Sequence, residues 1–388
     1  MYTKINKDRG EIKMGYVAVK GGGEAIENAG KFLLYERIKG NSRSLEVGQI
    51  RDQLHLLVDR VMGEGSLYAP DLAALAIKQA AGDTFEAAFM LRAHRTTKAR
   101  LGYSLPQSTE DMRIIRRISA AFKDIPGGQI LGPTTDYTLR LLDFELLDDS
   151  GEKRADIIRG LLKGLSDPDP LPASFPKIIE VLRRENLLEV KGCPSKRADE
   201  VFDITKQALS FPAPRSAAMQ ALARGETGGL LLLAYSNMRG YGDVHPTIGE
   251  LRVGYLPVRI RHPHTGEPYT IGEVKVTEAE VIAKFTAKDG TPRFSLGYGL
   301  CFGHNEVKAI SMAVLDRAMQ EEDSKTMTGN QEFVLSHIDG VESMGFCTHY
   351  KLPHYVTFQS DLDRLRMARE EARGRDNGKD GLADRSRI

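Results

Sequence analysis

Apolar residues recur at three- and four-residue spacing through the first third of the chain, which is the period of an amphipathic helix. One helix is predicted to begin near Glu24, after a glycine turn, and a second to be capped by Ser44. Pro70 and Gly82 mark the start and the end of a third helix. Two more helices are predicted, over DTFEAAFMLRAHRTTKARL and TEDMRIIRRISAAF. The spacing therefore predicts a helical bundle over residues 24–122.

The pattern changes after residue 122. The run TLRLLDFELL alternates apolar and polar residues, which predicts a strand. Four prolines between residues 168 and 176 predict an extended connection. The segment RSAAMQALARGETGGLLLLAYSNMRGYG predicts two helices that are separated at Gly225.

Strand patterns predominate from Glu250 onward, in ELRVGYLPVRI, TIGEVKVTEAEVIAKF and RFSLGYGLCFG. Asn305 is predicted to cap the next helix, and EFVLSHIDGVESMG predicts another. We therefore expect an α+β protein in which an N-terminal helical bundle is followed by a mixed α/β C-terminal domain. The predicted boundaries are a disordered extension (1–13), a mainly helical domain (14–147), a linker and peripheral segment (148–212), a sheet-and-helix domain (213–365) and a charged disordered tail (366–388).

The composition argues against several classes of function but does not identify one. The net charge is +1, so no electrostatic argument favours nucleic acid or a membrane as partner. The longest apolar run, GGLLLLAY, is far shorter than a membrane span needs, and the polar N-terminus does not resemble a secretory signal. Three cysteines without a CxxC pair argue against a disulfide framework. A cytoplasmic location is the expectation.

Two histidines flank a proline in the apolar, aromatic stretch FCTHYKLPHYVTFQ. Pro353 blocks a continuous helix and favours extended geometry at Leu352. We therefore predict a strand that ends at Tyr350 and a turn that brings His354 back towards His349. Two neutral imidazoles placed in this way suit zinc.

A complete zinc site would need further ligands, for which Cys347, His337 and Glu342 are candidates. The alternative is that each histidine caps a turn or bonds a backbone carbonyl.

Two other features suggest phosphate binding. The segment VAVKGGGEAI resembles a strand, glycine loop and helix that cradle an anion, but it lacks the ending of a P-loop, and a tight turn is the favoured alternative. Arg113 and Arg117 are four residues apart on the predicted helix over 109–122, before a glycine loop, so they could clamp a phosphate from one helix face. The alternative is a solvated basic surface.

Glycine-aromatic loops, RGYGDVHP and LGYGLCFGHNE, have the composition of loops that line binding sites or of simple strand ends. Glu250, Glu273 and Glu306 lie near them and are possible acid–base groups. No GxSxG, P-loop or kinase motif is present, so residue patterns alone do not identify a reaction.

Nine stretches resemble, in sequence order, the PhnI family, a core subunit of the carbon–phosphorus lyase system for phosphonate breakdown. They include LRAHRTT, RRISAAFKDIPGGQILGPTTDYTLRLLDF, LLLLAYSNMRGYGDVHP, GYGLCFGHNEVKAISMAVLDRA and HYKLPHYVTFQ. The resemblance runs from about Gly15 to about Leu365 and weakens over residues 150–210. Leu139 stands where the family usually has a histidine, so that histidine is not indispensable to the chemistry here.

The resemblance implies a complex with PhnG, PhnH and PhnJ. With PhnG, PhnH and the ATPase-like PhnL, such a subunit attaches an alkylphosphonate to ribose C1 of MgATP and expels adenine, which gives a ribose 1-alkylphosphonate 5-triphosphate. Alone it acts as a purine nucleosidase on MgATP or MgGTP, with water as nucleophile. The radical enzyme PhnJ later cleaves the carbon–phosphorus bond. His349 and His354 match the family's metal motif, which implies zinc near PhnJ.

Cleavage of an N-glycosidic bond passes through an oxocarbenium-like transition state, which needs negative charge near C1 and an acid for the leaving base. The candidate catalytic residues are Asp136, Asp143, Glu250 and Glu306. The candidate triphosphate-binding residues are Arg113, Arg117, Lys123, Gly127 and Gly128, with Mg²⁺ arriving on the nucleotide.

Three hypotheses follow. The chain carries the nucleosidase or transferase site, or it is a non-catalytic scaffold whose histidines supply a metal to a site shared with PhnJ. The third, a stand-alone zinc hydrolase, predicts metal-dependent hydrolysis without any nucleotide.

Overall fold

The computed structural model describes residues 22–147, 151–164, 172, 175–189, 201–241, 246–286, 291–321, 326–351 and 355–383. The chain divides into two compact units. Residues 45–341 form the larger unit, and the residues up to 44 together with those from 342 form the smaller one. Helix α1 (Gly23–Ile38) belongs to the smaller unit.

Four short helices form a tightly packed group in the larger unit. They are α2 (Val47–Gln53), α3 (His55–Gly65), α4 (Pro70–Gln79) and α5 (Thr84–Thr96). Small and aliphatic side chains, among them Val61, Ala73 and Leu91, fill the core between them. Asp83 caps α5 by accepting hydrogen bonds from the amides of its first turn, which otherwise have no partner within the helix.

Four antiparallel strands form one sheet in the order β1–β2–β3–β4. Their bounds are β1 (Arg113–Ile118), β2 (Thr247–Arg261), β3 (Pro268–Thr286) and β4 (Arg293–Phe302). One face of the sheet is apolar and packs against α10 (Glu306–Met319). Gly297 and Gly299 permit this close packing, because a Cβ atom at either position would collide with a backbone carbonyl of α10.

Seven further helices follow β1 along the described part of the chain. They are α6 (Gly151–Gly164), α7 (Ile178–Arg184), α8 (Arg215–Arg224), α9 (Thr227–Ser236), α11 (Gln331–His337), α12 (Gly340–Cys347) and α13 (Tyr355–Ala383). Helix α7 contacts β2, and α8 contacts both β4 and α10. Among the helices that the structure describes, none is both long and apolar enough to cross a membrane.

Several sequence predictions are confirmed. The three C-terminal strands form, and Gly225 separates α8 from α9. Asn305 caps α10, since its side-chain oxygen accepts a hydrogen bond from the Lys308 amide at 3.1 Å. Pro70 begins α4.

The helix predicted over residues 109–122 is wrong. A 3-10 turn, Thr109–Asp111, leads directly into strand β1. The sequence RIIRRI has three β-branched isoleucines, which favour a strand. Pairing with β2 then buries two adjacent arginines on opposite faces of the sheet, where carboxylates neutralise them.

Three other regions differ from expectation. The strand predicted in TLRLLDFELL does not form, and only a 3-10 turn, Phe144–Leu147, lies there. The strand predicted up to Tyr350 is instead the end of α12 and a 3-10 turn, Thr348–Lys351. Helix α13 continues to Ala383 through a segment for which a disordered tail is predicted.

The predicted domain boundaries are not those of the two compact units, because helices α2–α5 share one unit with the whole sheet. Strand β1, predicted as part of the N-terminal bundle, pairs with β2 from the C-terminal half. The predicted extension 1–13, the VAVK strand and the Leu352–Pro353 turn lie outside the described residues.

The contact between β4 and α10 gives a first prediction. Gly299→Ala should lower the free energy of unfolding by about 2 kcal/mol or more, because the added methyl group overlaps the Ala309 carbonyl. Urea denaturation measures the change. Gly160→Ala is the matched control, since α6 offers open space there and alanine is the better helix former. Equal stability of Gly299→Ala and the wild type would contradict the described packing.

Candidate active site

The second face of the sheet is buried and charged. Alternate residues of β1, β2 and β3 place Arg117, Arg252, Glu250, Glu278 and Glu280 side by side on this face. Lys177, at the start of α7, completes the group, which we call the ionic face. Three positive and three negative side chains are thus buried on this face, and along β3 they lie between Val276 and Ile282, which belong to apolar clusters.

Two sets of ion pairs hold the ionic face together. Arg117 Nε donates to Glu250 Oε1 at 2.5 Å, and the Ile178 amide donates to Glu250 Oε2 at 3.1 Å. Lys177 Nζ donates to Glu278 Oε1 at 2.7 Å and to Glu280 Oε1 at 3.0 Å. Glu250 is therefore fully engaged, whereas Glu280 Oε2 has no hydrogen-bond partner among the described residues.

A cavity of about 570 Å³ opens beside Glu280. Lys177, Arg183 and Arg215 bring positive charge to its wall, and Tyr298 of β4 lines it with Glu280. We call it the Glu280 cavity. Its volume lies in the range of cavities that hold cofactor-sized ligands.

Burial raises the pKa of Glu280 to about 7, although the Lys177 ammonium opposes the shift and the Glu278 carboxylate adds to it. Burial and the carboxylates of Glu278 and Glu280 raise the pKa of the Tyr298 hydroxyl well above its ordinary value. Burial lowers the pKa of Lys177, but Glu280 and Glu278 outweigh it and leave that pKa raised. At neutral pH the cavity thus contains a carboxyl group that can give or take a proton, beside a stable cation.

A second cluster forms around Arg116 on the opposite face of β1. Its guanidinium donates to Asp136 Oδ2 at 2.6 Å, to the Leu131 carbonyl at 2.6 Å and to Glu306. His304 Nε2 lies 3.7 Å from Glu306 Oε2. Burial favours the protonated form of Glu306, but hydrogen bonds from His304 and Arg116 outweigh it and hold its pKa below the ordinary value.

The structure separates the four predicted catalytic acids. Asp136 and Glu306 meet at Arg116, whereas Glu250 is buried against Arg117 on the ionic face. Asp143 lies in an exposed loop, where its side chain accepts a hydrogen bond from the Glu145 amide at 3.0 Å.

The predicted phosphate clamp of Arg113 and Arg117 on one helix face is wrong, because both arginines belong to strand β1. Arg113 is exposed and pairs with Glu273 at 2.8 Å, and Arg117 is fully buried. Arg117 Nη1 also donates to the Pro126 and Gly128 carbonyls, so it holds the glycine loop through the loop's oxygens.

The glycine loop is a tight turn in this structure. Gly127 and Gly128 adopt left-handed backbone angles, with φ of 83° and 76°, which favour glycine. The Gly128 amide donates to the Ile125 carbonyl at 2.9 Å. Lys123 is exposed at the start of this loop.

His349 is the part of the predicted metal motif that the structure describes; His354 lies outside the described residues. Its Nδ1 atom contacts the Phe346 carbonyl, and its ring stacks near Tyr350 with centroids 4.0 Å apart. In metal-binding histidines, one ring nitrogen commonly bonds a backbone carbonyl in this way while the other ring nitrogen binds the metal. Within the described residues, no three His, Cys, Asp or Glu side chains cluster as a metal site, and Cys347 is exposed.

Sequence reasoning missed Lys177, Glu278, Glu280 and Tyr298. A signal was present, since TEAE in β3 places two glutamates at the spacing of one strand face. This spacing alone does not indicate a buried site, because neighbouring carboxylates on a strand are usually solvent-exposed.

Comparison with known proteins shows the family. The family described as "Bacterial phosphonate metabolism protein (PhnI)" matches residues 15–372. The chain belongs to the PhnI family. It is 57% identical over 366 residues to the "Putative C-P lyase subunit protein HtxH" of Stutzerimonas stutzeri, which covers 92% of this chain and 97% of that protein.

Two other relatives bear the PhnI name itself. Both are called "Alpha-D-ribose 1-methylphosphonate 5-triphosphate synthase subunit PhnI". The protein from Rhizobium meliloti (strain 1021) is 44% identical, over 95% of this chain and 99% of its own length. The protein from Escherichia coli (strain K12) is 46% identical, over 92% of this chain and 99% of its own length.

The raised pKa of Glu280 predicts a pH dependence of stability. Between about pH 4.5 and 7 the folded chain binds a proton at Glu280 that the unfolded chain has released, so stability should fall as pH rises through this window. Glu280→Gln should lack this decline, which amounts to about 3 kcal/mol. Urea unfolding at pH 5 and pH 7.5 measures the difference between the two proteins. A constant difference would contradict the raised pKa.

Proposed function

We propose that this chain displaces the purine from ribose C1 of MgATP or MgGTP as a subunit of a carbon–phosphorus lyase complex. An alkylphosphonate is the nucleophile in the complex, and the product is a ribose 1-alkylphosphonate 5-triphosphate. Water is the nucleophile when the chain acts alone, as a purine nucleosidase. PhnG-, PhnH-, PhnJ- and PhnL-type proteins are the proposed partners, in the cytoplasm.

One observation carries the choice of site, namely that a buried carboxyl group with a pKa of about 7 faces a cavity of about 570 Å³. A purine leaves ribose easily only when its ring is protonated, so the reaction needs an acid whose pKa is near the working pH. Glu280 has that property, and its Oε2 atom has no hydrogen-bond partner among the described residues. Glu306, whose pKa is lowered, is suited to remain a carboxylate.

In the proposed step, the bond from C1 to the purine nitrogen breaks and its electron pair stays on the base. Glu280 gives its proton to the purine ring and becomes a carboxylate. An oxygen of the phosphonate dianion, or of water, forms the new bond to C1. With water, the attacking oxygen loses a proton, which returns Glu280 to its acid form.

The positive groups of the cavity suit the rest of the substrate. Lys177, Arg183 and Arg215 would face the triphosphate, whose magnesium ion travels with it. Glu110 and Glu180 also line the wall, and carboxylates favour the positive charge that develops on the ribose. Asp136 and Glu306, the predicted acids that both pair with Arg116, are a second candidate pair of carboxylates for stabilising that positive charge.

We also propose that His349 and His354 hold a zinc ion near a PhnJ-type partner. The contact of His349 Nδ1 with the Phe346 carbonyl supports this, since a backbone carbonyl commonly orients a metal-binding histidine. Zinc so placed would act as a Lewis acid. In the alternative function, the chain is a scaffold that supplies only these histidines.

The activity of the purified chain tests the proposed site. Base release from MgATP should fall about 100-fold or more in Glu280→Gln, because amide nitrogen cannot supply the proton. In the wild type, release should decline above about pH 7, where Glu280 loses its proton. Chromatography of free adenine measures both.

Glu267→Gln, at the exposed hairpin between β2 and β3, is the matched control and should retain full activity. Normal base release by the Glu280→Gln variant, with its fold intact by circular dichroism, would exclude Glu280 as the acid. No release by the wild-type chain would favour the scaffold alternative.

Zinc content tests the metal proposal separately. His349→Ala should reduce the zinc bound to the purified complex to near background. A site that loses one of its two histidine ligands loses most of its affinity for zinc. Elemental analysis measures the metal. His264→Ala, at the exposed hairpin, should retain it. Full zinc occupancy in His349→Ala would show that the ion lies elsewhere.

A further inference from the structure

Helix α6 carries an apolar stripe that is exposed to solvent. Ile157, Ile158, Leu161 and Leu162 follow the three- and four-residue spacing of one helix face. Leu161 is 67% exposed and Ile157 is 55% exposed. We call these four side chains the α6 stripe. Within the described residues, no strand or other helix packs extensively against α6.

The sequence of α6 does not favour a free-standing helix. Isolated helices of fewer than about 12–15 residues are marginal in water, and α6 has 14 residues. Gly160 in its interior and two β-branched isoleucines lower its helix propensity further. Because a helix of this kind gains most of its stability from the packing of its apolar face, α6 needs a surface that covers the α6 stripe.

A neighbouring turn adds to the exposed apolar surface. Lys153 Nζ donates to the Glu145 carbonyl at 3.0 Å, so the 3-10 turn Phe144–Leu147 lies beside the first turn of α6. The side chains of Phe144 and Leu147 are exposed. Contiguous apolar surface of this kind marks an interaction site rather than ordinary protein surface.

Arg154 lies on the same face as the α6 stripe. It precedes Ile157, Ile158 and Leu161 by three, four and seven residues, which is the spacing of the anchors of a helix that lies in a groove. Arg154 is exposed, and no carboxylate of the described residues forms an ion pair with it. A surface that covers the stripe would therefore also cover this positive charge.

The charge of α6 decides between the possible occupants. Four basic and two acidic residues give the helix a net charge of +2. Two copies packed stripe to stripe would bring these positive charges together, so the charge disfavours a second copy of this chain. A partner's groove that contains a carboxylate would neutralise Arg154, and arginine is enriched at the centres of protein interfaces.

We infer that α6 docks into an apolar groove of a partner protein, in which a carboxylate of the partner pairs with Arg154. The α6 stripe fills the groove, and Phe144 and Leu147 contact its border. The choice of another subunit of the complex as that partner rests on the proposed function. The docking surface itself rests on the exposure, spacing and charge of α6.

Binding of the full chain to separately purified PhnG-, PhnH- and PhnJ-type proteins, measured by biolayer interferometry, tests the inference. Leu161→Asp should weaken binding to at least one of the three by about 30-fold or more, because it places a charge in the apolar groove. Arg154→Glu should weaken the same interaction by about tenfold or more, because it sets two carboxylates against each other. Arg154→Lys, which keeps the charge, should retain most of the affinity.

Lys163→Glu is the matched control. It makes the same change of charge as Arg154→Glu, but Lys163 lies on the opposite face of the helix, four residues after Arg159. It should alter binding by less than about twofold, as a charge outside the groove predicts. Circular dichroism checks that each variant keeps its fold.

Several outcomes would overturn the inference. One is wild-type affinity of Leu161→Asp for all three proteins, and another is no binding of the wild type to any of them. Equal losses in Arg154→Glu and Lys163→Glu would overturn the pairing of Arg154 with a carboxylate, since net charge alone would then account for both.

Two further measurements test the other occupants. A wild-type chain that is dimeric by analytical ultracentrifugation, with a monomeric Leu161→Asp variant, would assign the α6 stripe to a second copy instead. Binding to phosphatidylglycerol vesicles that is lost in Leu161→Asp, with binding to the three proteins unchanged, would assign it to a membrane surface.

Base release by the isolated chain does not involve α6, so Leu161→Asp should release adenine from MgATP at the wild-type rate. Failure of base release by the wild type, with partner binding that depends on the α6 stripe, would contradict the proposed function alone. Normal base release with partner binding independent of the stripe would contradict the inference alone.

Discussion

The buried ion pairs of the sheet are the constraint on which the rest of this structure depends. Arg117 and Glu250 are both almost fully buried, and removing one partner of such a pair typically costs about 3–5 kcal/mol, because the other charge is left without compensation. Strand β1 is therefore stabilised by its pairing with β2, and Arg117 holds the glycine loop in place. The same ionic face brings Glu280 next to Lys177 and Glu278, where its proton affinity is set by burial and by neighbouring charge.

Residues of strand β4 and helix α8 line the cavity that lies beside this buried charge. The sheet ends at β4 among the described strands, and Tyr298 of β4 and Met219 of α8 line the Glu280 cavity. The Glu280 cavity thus combines a carboxyl group whose pKa is about 7 with the cation Lys177. This arrangement suits a reaction in which a leaving group takes up a proton at neutral pH.

Local patterns predict most elements of this fold but not the ionic face. Helix signals such as Pro70 and Asn305 act within one turn, so the sequence alone identifies them. The spacing of RIIRRI predicts a helix that carries its arginines on the surface, whereas the arginines are buried and are stabilised by carboxylates that are distant in sequence. The sequence does not reveal Glu280 for the same reason, since its pKa is raised by burial, and its ion-pair partner Lys177 is 103 residues away in sequence. Membership of the family, by contrast, can be identified from many short sequence matches without a structure.

A direct titration of Glu280 tests the central claim most sharply. Carbon-13 NMR of the full chain labelled at glutamate carboxyl carbons would follow the resonance that disappears in Glu280→Gln. We predict a midpoint near pH 7, because burial of this carboxyl group outweighs the opposing charge of Lys177. A midpoint at the ordinary value of about 4.5 would contradict the account, because Glu280 would then be a plain carboxylate at neutral pH with no proton for a leaving base.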